Sequence, residues 1–148
     1  MRATDGADNT SGWAKGRAFV VTAHQEDRGP TLVYAGRWTQ RAPSLAYGGG
    51  LKYATTKGSA AQFTLRGRNV AWVSLKGSAR GKAKVAIDGV TVATIDLYTS
   101  RFQARKVVFS RSDLEPTVSH TMTVEATGLK RSASSNARID VDAFVVLR

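Results

Sequence analysis

The 148-residue chain contains no cysteine, which excludes a thiol nucleophile and thiolate zinc sites and leaves the redox compartment unread. No run approaches the ~18 consecutive apolar residues of a membrane-spanning helix. The first dozen residues are polar, without the apolar core of a secretory signal. No segment keeps an apolar stripe of 3.6-residue period long enough to predict a helix. Acid is scarce as well: 11 Asp and Glu stand against 22 Lys and Arg, for a formal net charge of +11. Between Arg28 and Ile87 acid is absent, while the same stretch holds eleven Lys and Arg. So few carboxylates argue against the acid pair of glycoside hydrolysis. There is no Gly-x-Ser-x-Gly elbow, and His24 and His120 are the only histidines, so a hydrolytic triad lacks its parts. The expectation is a protein that is not an enzyme. His120, ahead of Thr121-Met122-Thr123-Val124, is expected to open a strand and bond a neighbouring loop.

What is present is alternation. A chain of this length fits one domain able to bury roughly 68–70% of its unfolded surface, and 42% hydrophobic residues argue against disorder. Ala61 to Arg66 alternates as a half-buried strand should, and Asn69 to Leu75 follows across Gly67-Arg68. Lys84 to Ile87 and Val90 to Ile95 flank Asp88-Gly89, the pair favoured by a type I′ hairpin turn. Arg105 to Phe109, His120 to Ala126 and Arg138 to Leu147 supply further strands, and 77–81 and 131–136 read as loops. Many short strands with turn signals predict an all-β sandwich. The small, polar stretch from Ala3 to Ser11 reads as an arm or linker.

The order of several motifs resembles a known module. Tyr34-Ala35-Gly36-Arg37-Trp38, Tyr47-Gly48-Gly49, Phe63 to Val73, Gly81 to Gly89, Ile95-Asp96-Leu97-Tyr98, Ser119-His120-Thr121 and Asp140 to Val146 carry the resemblance. It is to the galactose-binding-like jelly-roll β-sandwich at the C-terminal end of large secreted actinobacterial and related proteins. It covers roughly Ala18 to Arg148. Arg2 to Ser11 is similar to the end of a fibronectin type III or Ig-like repeat. The resemblance implies an N-terminal extension over 1–17, a binding module over 18–148, secretion within a larger protein, and a carbohydrate-binding role.

Candidate binding residues follow. Trp38 stands among Arg37, Thr39, Gln40 and Arg41 and is suited either to stacking on a sugar face or to capping the sandwich. Tyr47 and Tyr53 flank a triple glycine that makes a tight turn or lets backbone approach a ligand. Tyr98, Arg101 and Phe102 lie in a connection, where sandwiches carry recognition. Trp72, inside an alternating strand, is expected in the core. The expected ligand contacts are Trp38, Tyr47, Tyr98 and Arg101, meeting a polysaccharide or other anionic polymer. The resemblance also implies a structural calcium, with Glu26 and Asp142 as its ligands. Strict alternation puts Asp142 on the face of Phe144, where it must bind metal or find a hydrogen-bonding partner. No zinc-finger, basic-helix, RRM or KH pattern is present, so specific nucleic-acid binding is not expected. Two alternatives remain: a spacer that packs on a neighbouring domain through Trp13 or Phe19, and generic polyanion binding.

Overall fold

The computed structural model describes residues 20–25 and 31–147; the 1–17 extension, Trp13, Phe19 and Glu26 lie outside the described residues. Twelve strands are described: β1 (Val21–Gln25), β2 (Leu32–Ala35), β3 (Thr39–Arg41), β4 (Leu51–Ala54), β5 (Ala60–Leu65), β6 (Asn69–Lys76), β7 (Lys82–Ile87), β8 (Val90–Asp96), β9 (Gln103–Arg111), β10 (His120–Ala126), β11 (Ile139–Val141) and β12 (Ala143–Leu147). They form a jelly-roll β-sandwich. One layer is the five-stranded sheet β2-β5-β10-β7-β8. The four-stranded sheet β1-β12-β6-β9 and the three-stranded sheet β11-β4-β3 are joined through the run from β11 into β12. Every named strand pair is antiparallel.

Alternation explains the layers. Ala61, Phe63 and Leu65 of β5, with Met122, Val124 and Ala126 of β10, turn inward, while Gln62 and Thr64 face out. Val70 and Trp72 of β6, with Phe144 and Val146 of β12, line the other side. Phe63 and Phe144 stack across the core with centroids 4.8 Å apart. Burial of each such side chain stabilises the fold by roughly 1.5–3 kcal/mol. Trp72 is fully buried, as alternation predicts. The Asp88-Gly89 turn closes the β7–β8 hairpin with φ of 50° and 81°, the positive values a type I′ turn requires.

Alternation fails where β11 runs into β12. Ile139 and Val141 face the core, and so do Phe144 and Val146. The spacing of three between Val141 and Phe144 means one extra residue, as in a β-bulge, at the break between β11 and β12. Asp140 and Asp142 therefore lie opposite Ile139 and Val141, on the outer face, and not on the face of Phe144. The local ladder is irregular there: the Asp142 amide donates to Val73 O at 3.1 Å, and Ser74 Oγ donates to Asp140 O at 2.6 Å. The loop from Pro43 to Gly50 folds over this outer face, where Ala46, Leu51 and Leu75 form a small second core. Among the described residues no helix is long and apolar enough to cross a membrane.

Candidate functional site

The loops collect at two ends. At one end, Arg66–Arg68, the β7–β8 turn and the 112–119 connection meet. His120 opens β10 and ties them: its Nδ1 is 2.7 Å from Asp88 Oδ2 and its Nε2 is 2.9 Å from Glu115 O. The hydrogen bond with Asp88 pushes the imidazole above its ordinary value, and the same bond pulls the Asp88 carboxyl down. Both ring nitrogens are engaged in holding loops.

At the other end, 36–38, 55–59, 77–81, 97–102 and 127–138 interlock. Ser134 Oγ lies 3.1 Å from Ser78 O, 2.7 Å from Arg80 O and 2.8 Å from Asn136 O. Gly81 donates to Arg138 O at 2.8 Å, and a Cβ on Gly81 would come within 2.6 Å of Ala137 backbone atoms, so only glycine fits. Arg37 N donates to Ser59 Oγ at 3.1 Å. A Ser- and Ala-rich loop is thus rigidly built.

Carboxylates at this end are all engaged. Asp96 receives Arg131 Nε at 3.0 Å and Nη2 at 2.9 Å on one oxygen, and the Tyr98 amide at 2.9 Å on the other. Burial alone would raise its carboxyl, but these bonds outweigh it and hold the group below its ordinary value. The Arg131 guanidinium sits 5.3 Å from the Tyr98 ring centroid. Glu125 pairs with Lys84 at 3.2 Å. Asp140, fully buried, meets Arg80 Nε at 2.5 Å on Oδ2 and Arg138 Nε at 2.7 Å on Oδ1, with Arg138 Nη2 on Oδ1 as well. Burial pushes its carboxyl up, and contact with two guanidiniums opposes that shift. Arg37, Lys57, Arg101 and Lys130 have no carboxylate partner among the described residues.

The sequence-predicted residues do not form one cluster. Tyr98 and Arg101 lie together after β8, with Phe102 exposed beside them. Trp38 follows β2, at the opposite edge of the five-stranded sheet. Four strand spacings of about 4.8 Å put them on the order of 19 Å apart. Trp38 is half-buried against the main core, edge-on to Tyr34 with centroids 5.0 Å apart, and its Nε1 donates to Ala35 O at 3.0 Å. Tyr47 is exposed on a 3-10 turn, Tyr47–Gly49, that needs positive φ at Gly48 (64°) and Gly49 (82°). Two anchors hold that turn. Arg105 Nε donates to Leu45 O at 3.0 Å and its Nη2 reaches Ser44 O and Ala46 O. Asp142 Oδ1 accepts the Tyr47 amide at 2.7 Å. Burial raises the Asp142 carboxyl, and its Oδ2 has no hydrogen-bond partner.

Of the two expected calcium ligands, Glu26 lies outside the described residues and Asp142 keeps one oxygen without a hydrogen-bond partner, while both oxygens of Asp140 face guanidiniums. Tyr53, beside the triple glycine, and Arg41, beside Trp38, are visible in the sequence, but Arg80, Arg105 and Arg138 are not singled out there. Arg138-x-Asp140 on a strand carries an i, i+2 signal that both side chains share a face; the partners of Arg105 are 59 to 61 residues away and leave no local trace.

No protein-family model matches the chain. Over 73 residues, 49% of the chain, it is 29% identical to the A type blood N-acetyl-alpha-D-galactosamine deacetylase of Flavonifractor plautii and spans 10% of that protein. Its fold is similar to a two-domain esterase active on acetylated mannans, co-crystallized with mannopentaose: TM-score 0.62, 16% identity, 86% of this chain and 36% of that one. It is similar also to the CBM36-1 domain of a multidomain xylanase from the hindgut metagenome of Trinervitermes trinervoides: TM-score 0.56, 10% identity, 85% of this chain and 95% of that domain. The chain spans about a tenth of the deacetylase and about a third of the esterase chain. These likenesses establish the fold: a β-sandwich of the kind found in carbohydrate-active proteins.

Proposed function

We propose that this domain is a non-catalytic carbohydrate-binding module for an anionic or cell-wall polysaccharide, acting within a secreted multidomain protein. The observation that carries the reading is the end where 97–102 and 127–138 meet. Its carboxylates are tied to cations or buried, whereas Arg101 and Lys130 in these two segments, with Tyr98 and Phe102, and Arg37 and Lys57 toward the opposite edge of the sheet, have no carboxylate partner among the described residues. A tyrosine ring offers a face to a pyranose, and cations beside it favour an acidic one. Tyr98 and Arg101 are proposed as one contact set, Tyr47 as a second on its anchored turn, and Trp38 as a rim residue. The match to the CBM36-1 domain over nearly its whole length supports the module reading. His120, with both nitrogens engaged, supports the non-catalytic one.

Affinity electrophoresis against acidic and neutral polysaccharides, at low and high salt, tests the proposal. Retention by acidic polymers that persists in high salt and drops on Tyr98→Ala is expected. Retention that vanishes with salt and ignores Tyr98→Ala would leave generic polyanion binding, and no retention at all would remove the module reading.

A second reading, a spacer packed on a neighbouring domain, draws on exposed Val21 and Val107 on the outer face of the four-stranded sheet. Independent tumbling of this domain beside its neighbour, measured by NMR relaxation, would count against it.

A further inference from the structure

On the outer face of the three-stranded sheet the strand register brings an arginine to each side of one tyrosine. Thr39, Tyr53 and Asp140 are direct cross-strand partners on β3, β4 and β11. Arg41 lies two residues beyond Thr39, and Arg138 two residues before Asp140, so both stand on the same face and diagonal to Tyr53. Long side chains reach across such diagonals. The Arg138 Cζ sits 3.8 Å from the Tyr53 ring centroid, and Thr39 lies directly across from Tyr53 with Arg41 on the diagonal.

Charge at this spot does not balance. Arg80 and Arg138 take the two oxygens of Asp140, and Arg41 has no carboxylate partner among the described residues. Asp142 is buried under the Tyr47 turn and shifted toward its neutral form. Arg138 spends Nε and Nη2 on Asp140, which leaves Nη1 unspent while fixing the guanidinium plane. A guanidinium held in this way needs little further ordering to grip an oxyanion.

Tyr53 itself reports the local potential. Its phenol is pulled below the ordinary value, first by the Arg41 hydrogen bond, then by Thr39, with the charges of Arg41 and Arg138 adding to them and burial opposing. An oxygen that is easier to ionise here than in water marks a place that favours negative oxygen.

We infer that Arg41, Tyr53 and Arg138 form an oxyanion site, shaped for the carboxylate of an acidic sugar. The identity of the ligand as a sugar rests on the carbohydrate-binding reading; the anion site itself does not. Thr39 and Arg41 are exposed and Tyr53 is half-buried, so the site opens to solvent on the outer face.

The test is an NMR titration of the wild-type chain with D-glucuronate at constant ionic strength, following the Arg41 and Arg138 Nε–H signals and the Tyr53 ring. D-glucose serves as neutral control and inorganic sulfate as competitor. Saturable shifts at these three residues, absent with glucose and reversed by sulfate, are expected. Arg41→Gln should weaken glucuronate about tenfold, the loss of one charge-assisted hydrogen bond, and leave Tm unchanged. Tyr53→Phe, which keeps the ring beneath Arg138, should weaken it less. Shifts spread evenly over all exposed arginines, or no saturation, would overturn the site. A parallel arm with polygalacturonate separates the two readings. Glucuronate binding at Tyr53 without polysaccharide retention would keep the anion site and remove the module; polysaccharide retention that leaves Tyr53 and Arg41 unperturbed would do the reverse.

Discussion

The two ends of the sandwich treat the same ionisable groups in opposite ways. Around the β7–β8 turn, Asp88 and Glu115 lie near the surface and are answered by His120, a backbone amide and Thr117. Around the 127–138 loop, Asp140 is fully buried under two guanidiniums and Asp96 is clasped by Arg131. The first arrangement staples loops at small electrostatic cost. The second consumes the acid and leaves the cations. A net charge of +11 says only that the chain is basic; where the carboxylates are sunk decides which surface carries the excess.

The largest effect is expected from breaking the buried triad. Arg80→Ala leaves Asp140 with one guanidinium, and loss of a buried partner costs about 3–5 kcal/mol. Urea denaturation measures it, and Asp140→Asn in the Arg80→Ala background should recover part of the loss. Next comes Gly81→Ala, which forces a methyl against the Ala137 backbone. Overpacking of this kind costs about 1–3 kcal/mol, and a Tm unchanged from wild type would show that the two loops yield freely.

Asp142→Asn sharpens the comparison from the other side, because it should stabilise. The carboxyl binds its proton more tightly folded than unfolded, since burial raises its value. Wild-type stability therefore falls as pH rises from the ordinary carboxylate value through the raised one. Asn keeps an acceptor for the Tyr47 amide without that penalty. The expected gain is about 1 kcal/mol at pH 8 and close to nothing at pH 4; a loss at pH 8 would mean that the charged form is needed. The smallest effect belongs to His120→Gln. The imidazole is raised by Asp88, so its contribution is complete below the unfolded value near 6.5 and is lost as pH rises through the folded one. Its Tm deficit should be larger at pH 5.5 than at pH 9.

Strands with clean alternation were legible in the sequence. Ala61 to Arg66, Asn69 to Leu75 and the Asp88-Gly89 hairpin correspond to β5, β6 and the β7–β8 turn, because a period of two and a positive-φ pair are local signals. The strand at Ile139 was legible in extent but not in facing. A single inserted residue at Asp142 reversed the alternation, and the contacts that accompany it, at Val73 and Ser74, lie some 70 residues away in the chain. The candidate site was legible residue by residue, as aromatics among cations, yet not as a set. Tyr98 and Trp38 sit on opposite edges of a sheet whose order, β2-β5-β10-β7-β8, no local pattern reveals. Tyr53 sat beside a triple glycine and read as part of a turn; strand register alone places it between Arg41 and Arg138.

The central claim is that excess charge at one end, and not charge in general, binds the acidic polymer. Isothermal titration with polygalacturonate should be run on two double variants, Arg37→Glu with Arg101→Glu at the loop end and Arg68→Glu with Arg111→Glu at the opposite end. Each changes net charge by the same amount. The account predicts at least about a tenfold loss for the first pair, equal to 1.4 kcal/mol, and little change for the second. Equal losses from both pairs would contradict it.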